Sequence, residues 1–348
     1  MIYTYLGRSG LNVSRLGFGN WIYSQDSEES QNLANDLVKY AFSQGINFFD
    51  TAENYDLGAG ERQLGRALKN LGVPRSDYVL SSKIFDGTFP ENTNKLNNIG
   101  TSRKRLVEGV DRMLENLDHD YMDVLFCHKF DTKTPIEETV YGMKMVIDQG
   151  KALYWATSNW PATKQMEAMY VADKLNCPRP IAEQNEYNML RRDKLEKDFG
   201  FNVKDHGLGF TAWGPLAMGV LTGRYNQGIP KGSRWDDPKV MNRHGKFYRQ
   251  YVEGEGKIER VVKLGEVADR LGVTLPQFAL AWNILNPDCT VSLLAAEKVS
   301  ELEENVKSVE VVGKITKEIL VEVEEILGNR PEWGYDCRDE AYYFTREI

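Results

Sequence analysis

The sequence predicts an α/β fold, a (β/α)8 barrel, and the order and spacing of its apolar residues carry that prediction. Short apolar runs typical of strands alternate with longer segments whose apolar residues recur at helical spacing. Strands joined through helices pair in parallel by right-handed crossovers, and the helices then cover both faces of the sheet. The runs are apolar on both faces, as such a sheet requires, and eight of them favour a closed barrel.

The predicted elements begin with a hairpin and continue as the strands and helices of the barrel. Residues 1–17 contain short strands at 3–6 and 12–15. The barrel strands are predicted at 15–19, 46–50, 78–82, 122–127, 152–157, 181–184, 208–213 and 290–294. The helices predicted between them include 30–44, 60–71, 102–116, 139–149 and 163–175. No linker divides the chain, so we expect one domain over residues 1–348.

Two segments interrupt the alternation of strands and helices. Residues 225–257, after the seventh barrel strand, are polar and rich in glycine and proline, which predicts a long lid-like loop. Residues 328–348 form an aromatic and acidic C-terminal tail. We expect the tail to fold back over the barrel, and a tail that binds a partner is the alternative.

The charge of the chain excludes several classes of function. Its 43 basic and 51 acidic side chains give a formal net charge of −8. Nucleic acids and anionic lipid surfaces repel such a protein on average, so neither is an expected partner. No stretch reaches ~18 consecutive apolar residues, and the first residues lack the features of a secretory signal. The sequence therefore predicts a cytoplasmic protein that does not insert into a membrane.

The cysteines and histidines are too scattered to indicate a metal site. Cys127, Cys177, Cys289 and Cys337 include no CxxC pair, and the four histidines form no HxxxH or HExxH pattern. Cys127 lies inside an apolar strand, where a buried and inert thiol is expected. We expect free thiols and no bound metal.

Polar or aromatic side chains follow six consecutive predicted strands, at the end of the barrel where chemistry collects in this fold. A single polar residue at such a position often only caps a helix, but six in a row are hard to explain by capping. Together with Tyr55 in the loop after the second strand, these residues are Asp50, Lys83, His128, Ser158, Asn159, Gln184 and Trp213.

Four of these residues suit the reduction of a carbonyl group. Tyrosine has a reference pKa of ~10, too high for an efficient acid near neutral pH. The ammonium of Lys83 is expected to lower the pKa of Tyr55, while Asp50 orients that ammonium and keeps it charged. His128 can orient a carbonyl oxygen or relay the proton. No serine or cysteine lies in a nucleophile elbow, so nucleophilic catalysis is not expected.

Several motifs resemble those of the aldo-keto reductase superfamily, over about residues 3–328. They include Leu16-Gly17-Phe18-Gly19-Asn20-Trp21, Phe49-Asp50-Thr51-Ala52-Glu53-Asn54-Tyr55, Leu80-Ser81-Ser82-Lys83, Ala156-Thr157-Ser158-Asn159-Trp160, Glu183-Gln184-Asn185-Glu186-Tyr187-Asn188 and Trp213-Gly214-Pro215-Leu216-Ala217. Within the superfamily, the chain most resembles the β-subunits of voltage-gated potassium channels and their microbial and plant relatives. Gly219-Val220-Leu221-Thr222-Gly223-Arg224-Tyr225 and Leu275-Pro276-Gln277 carry this second resemblance.

The resemblance implies a (β/α)8 barrel, closed at the bottom by the hairpin, that holds an extended nicotinamide dinucleotide. By that resemblance Tyr55 is the proton donor, Asp50 and Lys83 tune it, and His128 orients the carbonyl group. Trp213 would stack on the nicotinamide, while Ser158, Asn159 and Gln184 would hold its carboxamide. The other residues implied to contact the cofactor are Trp21, Asp50, Gly214, Pro215, Leu216, Ala217, Met218, Arg224, Arg234, Glu301, Glu304 and Asn305.

The identity of the nicotinamide cofactor is less tightly specified. Ser300-Glu301-Leu302-Glu303 has the pattern of a capping box that opens the last barrel helix. By the resemblance, positions 297 and 301 lie near the 2′-phosphate of NADP(H). Glu297 and Glu301 would repel that phosphate, whereas Lys298 and Arg234 would attract it. The alternative is that one or both of these glutamates point to solvent and do not affect the choice of cofactor. We expect NADP(H) as the cofactor, with NAD(H) use possible.

Two functions follow from the resemblance. The first is an NAD(P)H-dependent reductase of aldehydes or ketones. The aromatic composition of the loops suggests for it an aromatic mouth, suited to aryl or apolar aldehydes and lined by Trp21, Tyr55, Phe85, Trp160 and Phe130. The second is a redox-sensing or scaffold subunit that binds NADP(H) with little turnover, with a channel as its partner. Histidine at position 128, where channel subunits commonly have asparagine, favours the reductase. The resemblance also implies a homotetramer.

Overall fold

The described residues, 1–21, 26–88, 96–254 and 256–332, form a closed barrel of eight parallel strands in this computed structural model. The barrel strands are β3 (Leu16–Gly19), β4 (Phe48–Asp50), β5 (Val79–Ile84), β6 (Met122–Cys127), β7 (Ala152–Ser158), β8 (Ala182–Glu186), β9 (Gly209–Trp213) and β10 (Val291–Leu294). Each pairs with its neighbours in chain order, and β10 closes the ring by pairing with both β9 and β3. The predicted fold class is confirmed, and each strand lies within two residues of its predicted bounds.

The N-terminal hairpin packs against the end of the barrel where the strands begin. Its strands, β1 (Tyr3–Tyr5) and β2 (Asn12–Ser14), pair antiparallel. Leu6 and Val13 are fully buried in one cluster with barrel residues such as Phe48 and Val124. Gly7 has a φ of +58°, and a Cβ there would lie 2.4 Å from the Ile181 carbonyl oxygen, so only glycine permits this approach.

Helices surround the barrel. They are α1 (Glu28–Ser43), α2 (Ala59–Lys69), α3 (Arg103–Leu117), α4 (Ile136–Asp148), α5 (Ala162–Lys174), α6 (Gly200–Lys204), α7 (Pro238–Val252), α8 (Lys257–Arg270), α9 (Leu275–Leu285), α10 (Val299–Val306), α11 (Ser308–Val311) and α12 (Lys317–Leu327). The five helices whose residue ranges were predicted from the sequence correspond to α1 to α5. None of the helices in the described part of the chain has both the length and the apolar character needed to cross a bilayer.

The segment predicted as a lid-like loop at 225–257 contains a helix instead. The 15-residue helix α7 begins after Asp237, whose side chain accepts a hydrogen bond from the backbone N–H of Lys239. Asp237-Pro238 is a helix start, with a capping side chain followed by proline in the first turn. Tyr248 and Tyr251, three residues apart, are the buried aromatic residues of α7. The glycines and prolines hid this helical spacing.

The chain turns back after α12, where Gly328 ends the helix with a φ of +55°. The next residue, Asn329, donates through its side-chain amide to the Met189 carbonyl oxygen at 2.9 Å. The rest of the predicted fold-back concerns residues 333–348, including Cys337, which lie outside the described residues.

Candidate active site

The C-terminal ends of six neighbouring strands bring the predicted site residues to one end of the barrel. Asp50, Ser158 and Trp213 are the last residues of their strands, and Lys83 is the last but one of β5. Gln184 is the middle residue of β8, and His128 directly follows β6. Parallel pairing explains the convergence, because the strands of this barrel all point the same way.

Lys83 lies at the centre of this group and is only 1% exposed. Its ammonium forms an ion pair with the Asp50 carboxylate. It also donates to the Thr51 carbonyl oxygen at 2.7 Å and lies 3.4 Å from the Tyr55 hydroxyl. Three acceptors thus match its three donors, which is how a buried charge is kept ionised.

Asp50 joins the lysine to the neighbouring strands. Its second carboxylate oxygen accepts from the Ser81 hydroxyl at 2.7 Å and from the Gln184 side-chain amide at 3.3 Å. These contacts fix the carboxylate, and the carboxylate in turn fixes the ammonium beneath Tyr55.

Tyr55 reaches the lysine from a tight turn after β4. Its backbone N–H donates to the Ala52 carbonyl, and its own carbonyl accepts from Gly60. Asp56 and Leu57, which follow it, both have left-handed φ values. Two left-handed residues in succession are uncommon and costly. The strained turn that follows Tyr55 therefore helps to fix the position of its side chain.

The protonation states suit proton donation by Tyr55. Burial raises the pKa of Tyr55 above its ordinary value, and the Lys83 ammonium opposes that rise without cancelling it. The expectation of a lowered pKa was wrong, because desolvation of the phenolate outweighs the attraction of the cation. Burial would lower the pKa of Lys83, but Asp50 and Tyr55 raise it overall. At neutral pH the site therefore presents a neutral phenol on a charged ammonium.

His128 faces Tyr55 as a neutral imidazole. The two rings meet edge to face with their centroids 6.3 Å apart. Burial, followed by the positive charges of Lys83 and Lys129, holds the pKa of His128 well below its usual range. Its Nδ1 is buried and has no hydrogen-bond partner among the described residues. A buried, unpaired nitrogen beside a phenol is a suitable site for a polar atom of a ligand.

Asn159 connects three of the predicted site residues. Its backbone is left-handed, with a φ of +56°. Its side-chain amide donates to the Ser158 hydroxyl at 3.0 Å and to the His128 carbonyl oxygen at 3.4 Å. Its side-chain oxygen accepts from the Trp213 indole at 3.1 Å. The strained turn thus orients one indole and one hydroxyl at the mouth of the barrel.

The profile of the Aldo/keto reductase family matches residues 15–327. The chain belongs to this family. It is also similar to a protein of Arabidopsis thaliana named as a probable voltage-gated potassium channel subunit beta, with 42% identity over 98% of this chain and all of the relative. A protein of Oryza sativa subsp. japonica with the same name is 40% identical over 98% of this chain and all of the relative. A putative voltage-gated potassium channel subunit beta of Schizosaccharomyces pombe is 40% identical over 94% of each chain.

Proteins of the aldo-keto reductase family generally use NAD(P)H, and the turn after β9 is where the phosphates of such a cofactor are predicted. Gly214, Ala217, Met218 and Gly219 all have left-handed φ values. Left-handed residues in a turn can aim backbone N–H groups at an anion. Here the N–H groups of Ala217 and Gly219 already donate to the Gly214 and Leu216 carbonyl oxygens, both at 2.9 Å. Ala217 and Met218 adopt this costly conformation without being glycine, which indicates a function for the turn. Pro215 and Leu216 lie within the same turn.

Arg234 offers this family member a second group suited to a phosphate. Its guanidinium carbon lies 4.7 Å from the centre of the Trp21 ring and 5.4 Å from that of Trp235. Burial lowers the pKa of Arg234, and its buried Nε has no hydrogen-bond partner among the described residues. A desolvated guanidinium with an unused donor suits an anionic ligand.

Arg224 and Glu301, both expected at the cofactor, contact each other. Arg224 donates to the Glu301 carboxylate at 3.1 Å. The other oxygen of Glu301 accepts from the backbone N–H of Glu297 at 2.9 Å. The predicted capping box was wrong, because α10 already begins at Val299 after Lys298, and Ser300 lies within its first turn.

Glu304 and Asn305 lie further along α10 than Glu301. The Asn305 side chain is buried, and the Glu304 carbonyl oxygen accepts from the Gln277 side chain at 3.1 Å. In the described structure, neither side chain is hydrogen-bonded to the group around Lys83. Their assignment to the cofactor site stays a prediction.

Glu183 supports the site from behind, a role that the sequence analysis did not assign. Its buried carboxyl accepts from the Thr157 hydroxyl at 2.6 Å, the Trp160 backbone N–H at 3.2 Å and the Asn185 side chain at 3.0 Å. Burial raises its pKa to about 8. The one feature of the sequence that could have indicated this role is the presence of a charged residue inside a predicted buried strand, directly before Gln184.

Trp160 does not line an aromatic mouth as expected. It is 2% exposed, and its ring packs edge to face on Phe130 at 5.1 Å. Trp21 instead has aromatic neighbours on α7, with His244 at 5.1 Å and Phe247 at 6.4 Å between ring centroids. Within the described ranges, no cluster of three or more metal-ligating side chains occurs.

Proposed function

We propose that this family member reduces aldehydes or ketones to alcohols, with a nicotinamide dinucleotide as reductant and Tyr55 as general acid. The observation that carries the proposal is the Tyr55 hydroxyl, held 3.4 Å from a buried ammonium that is itself paired with Asp50. A phenol in this position can release a proton because the ammonium stabilises the phenolate that remains.

The residues around Tyr55 divide the work of the reaction. When bound, a reduced nicotinamide supplies the hydride that reaches the carbonyl carbon. Tyr55 gives its proton to the carbonyl oxygen, and Lys83 stabilises the resulting phenolate. The neutral imidazole of His128 orients the carbonyl oxygen through a ring N–H. Ser158, Asn159 and Gln184 would hold the carboxamide of the nicotinamide, with Trp213 stacked on its ring.

We assign the phosphates of the cofactor to the turn from Gly214 to Met218, together with Arg224 and Arg234. The left-handed turn and the unpaired donor of Arg234 support this assignment. NADP(H) is the proposed cofactor. We propose that NAD(H) is accepted as well, because the Glu301 carboxylate, which pairs with Arg224, would repel a 2′-phosphate nearby and so reduce the preference for NADP(H). A dissociation constant for NADPH about a hundredfold or more below that for NADH would contradict the relaxed selectivity.

An absorbance assay tests the reductase directly. Loss of NADPH, with NADH in parallel, is followed after adding an activated aromatic aldehyde to the wild type and to Tyr55→Phe. The variant should lose ~10²–10⁴-fold in rate and keep its affinity for the cofactor, because only the acid is removed. An undiminished rate in Tyr55→Phe would remove Tyr55 from the mechanism.

A second function, as the β-subunit of a potassium channel, is supported by the names of the three relatives. In that role the protein would bind NADP(H) as a redox sensor with little turnover, as a homotetramer. Tight cofactor binding without turnover of any aldehyde, together with co-purification with a channel domain, would favour it. Light scattering on the purified protein tests the tetramer.

A further inference from the structure

Phe247 of α7 lies between the two tryptophans at the mouth of the barrel. Its ring centroid is 6.4 Å from that of Trp21 and 6.2 Å from that of Trp213. The interplanar angles are 85° and 87°, so both contacts are edge to face. Both have the favoured geometry of an aromatic pair, within the usual range of 4.5–7 Å. One phenyl ring therefore bridges β9 and the loop that follows β3.

Helix α7 is fixed firmly enough to hold this ring in place. Tyr251, one turn after Phe247, donates to the Glu186 carboxylate at 2.5 Å and accepts from the Asn188 side chain at 2.8 Å. Gln250 donates to the same carboxylate at 2.8 Å. Residues four apart share a face of a helix, so the end of β8 anchors the face that carries Phe247.

The Trp213 indole is partly buried against the core cluster that contains Phe48 and Val124, and two further contacts are made by its ring. Its Nε1 donates to Asn159, and this bond fixes one atom at the edge of the ring. This bond restrains the indole at one edge only, and a second contact on the ring further restricts its tilt. The Phe247 ring, roughly perpendicular to the indole, supplies that second contact.

We propose that Phe247 is a positioning residue that holds the Trp213 indole in the plane on which the nicotinamide ring stacks. The proposal rests on the proposed function, because it takes Trp213 as the platform for the nicotinamide. The proposal predicts different effects on the binding of the two ends of the cofactor. Loss of the Phe247 ring should weaken binding of the nicotinamide and leave the contacts to the phosphates and the adenosine unchanged.

The test compares two ligands that differ only in the nicotinamide. Dissociation constants of NADP⁺ and of 2′-phospho-ADP-ribose are measured by calorimetry for the wild type, Phe247→Ala and Phe247→Tyr. If the wild type prefers NAD⁺, then NAD⁺ and ADP-ribose replace them. Phe247→Ala should bind the dinucleotide about fivefold or more weakly and the fragment within about twofold of the wild type. Phe247→Tyr keeps the ring edge and should bind both within about twofold.

Two controls make the comparison decisive. Lys239→Ala removes an exposed side chain from the first turn of α7 and should change neither constant. Binding of the fragment by Phe247→Ala shows in the same experiment that the variant is folded. Equal losses for both ligands would mean a general structural role and would overturn the proposal, as would no loss for either.

The two proposals fail in different ways. A wild type that binds neither NADP⁺ nor NAD⁺ would overturn the cofactor part of the proposed function, and the role of Phe247 with it. A wild type that binds the dinucleotide while Phe247→Ala binds it equally well would overturn only the role of Phe247.

Discussion

The Lys83 ammonium lies 3.4 Å from the Tyr55 hydroxyl and shares its other donors between the Asp50 carboxylate and the Thr51 carbonyl oxygen. This arrangement keeps the lysine charged although it is buried. It also limits the rise in the pKa of Tyr55 that burial causes. Tyr55 is therefore neutral at physiological pH, as the proposed donation of its proton requires.

Replacing Lys83 by methionine should weaken the acid. Without the ammonium, burial acts unopposed and the pKa of Tyr55 rises further. We expect the rate of carbonyl reduction to fall by ~10²-fold or more, and the alkaline decline of kcat/KM to move to higher pH. The pH profile of kcat/KM, with cofactor affinity as the test of folding, measures both effects. Lys263→Met, at an exposed position of α8, is the control, and an unchanged rate in Lys83→Met would contradict this role.

His128 should leave no titration in the neutral range. Because its pKa is held well below its usual value, the imidazole is neutral from about pH 6 to about pH 8. We expect kcat/KM for reduction to be constant across that range in the wild type. A decline with rising pH there would indicate an imidazolium acid instead.

His128→Asn tests the difference between this chain and the channel subunits. The amide keeps a hydrogen-bond donor but changes its position, so kcat should fall by about tenfold while the dissociation constant of the cofactor stays constant. His206→Asn, just before β9 at the opposite end of the barrel, should change neither value. A full rate in His128→Asn would remove the argument that histidine favours catalysis.

The positions of Asp50, Lys83 and His128 could be predicted because each lies at the end of a strand or directly beside it. Apolar runs mark the strands of a covered parallel sheet, and the residues after Phe49 and Cys127 are then placed at one end of the barrel. Position alone does not give energetics. Whether Lys83 or burial dominates the pKa of Tyr55 depends on how much water reaches the phenol, which only the packed structure shows.

Side-chain pairing across the mouth was harder to predict. The Glu301 carboxylate accepts from the backbone N–H of Glu297 and from the Arg224 side chain. Arg224 lies 77 residues before Glu301, in a different loop, so the sequence around Glu301 does not indicate this contact. Phe247 was not singled out, because its segment was predicted as a loop. In both cases the deciding contact joins parts of the chain whose relative position no local pattern specifies.

Glu301→Gln should increase the preference for NADPH over NADH. The substitution removes a negative charge from the start of α10 and frees the Arg224 guanidinium from its ion pair. Repulsion between partly exposed charges is modest, so we expect the ratio of the two affinities to shift by about fivefold towards NADPH. Parallel titrations with both cofactors measure the ratio, and Glu303→Gln on the exposed side of α10 is the control. A shift towards NADH would contradict the placement of the 2′-phosphate near this carboxylate.

Glu61→Gln should make the protein less sensitive to rising pH. Glu61 is fully buried, and burial raises its pKa from an ordinary 4.5 to about 8 despite hydrogen bonds from Ser82 and Asn116. Between these two values the folded state holds a proton that the unfolded state has lost, so the free energy of unfolding falls as pH rises. One such group contributes roughly 1 kcal/mol per pH unit.

The comparison separates the effect of Glu61 from that of Glu183, whose pKa is also raised by burial. Glu183, with its own pKa of about 8, contributes equally to both proteins and cancels from the difference. Glutamine can accept from Asn116 and donate to the Ser82 hydroxyl, so the local contacts survive the substitution. Urea unfolding at about pH 5 and pH 7 should show a smaller loss of stability in Glu61→Gln than in the wild type, and Glu266→Gln on the surface of α8 should match the wild type. Equal losses in Glu61→Gln and the wild type would show that Glu61 is ionised in the folded state, with its charge satisfied by Ser82 and Asn116.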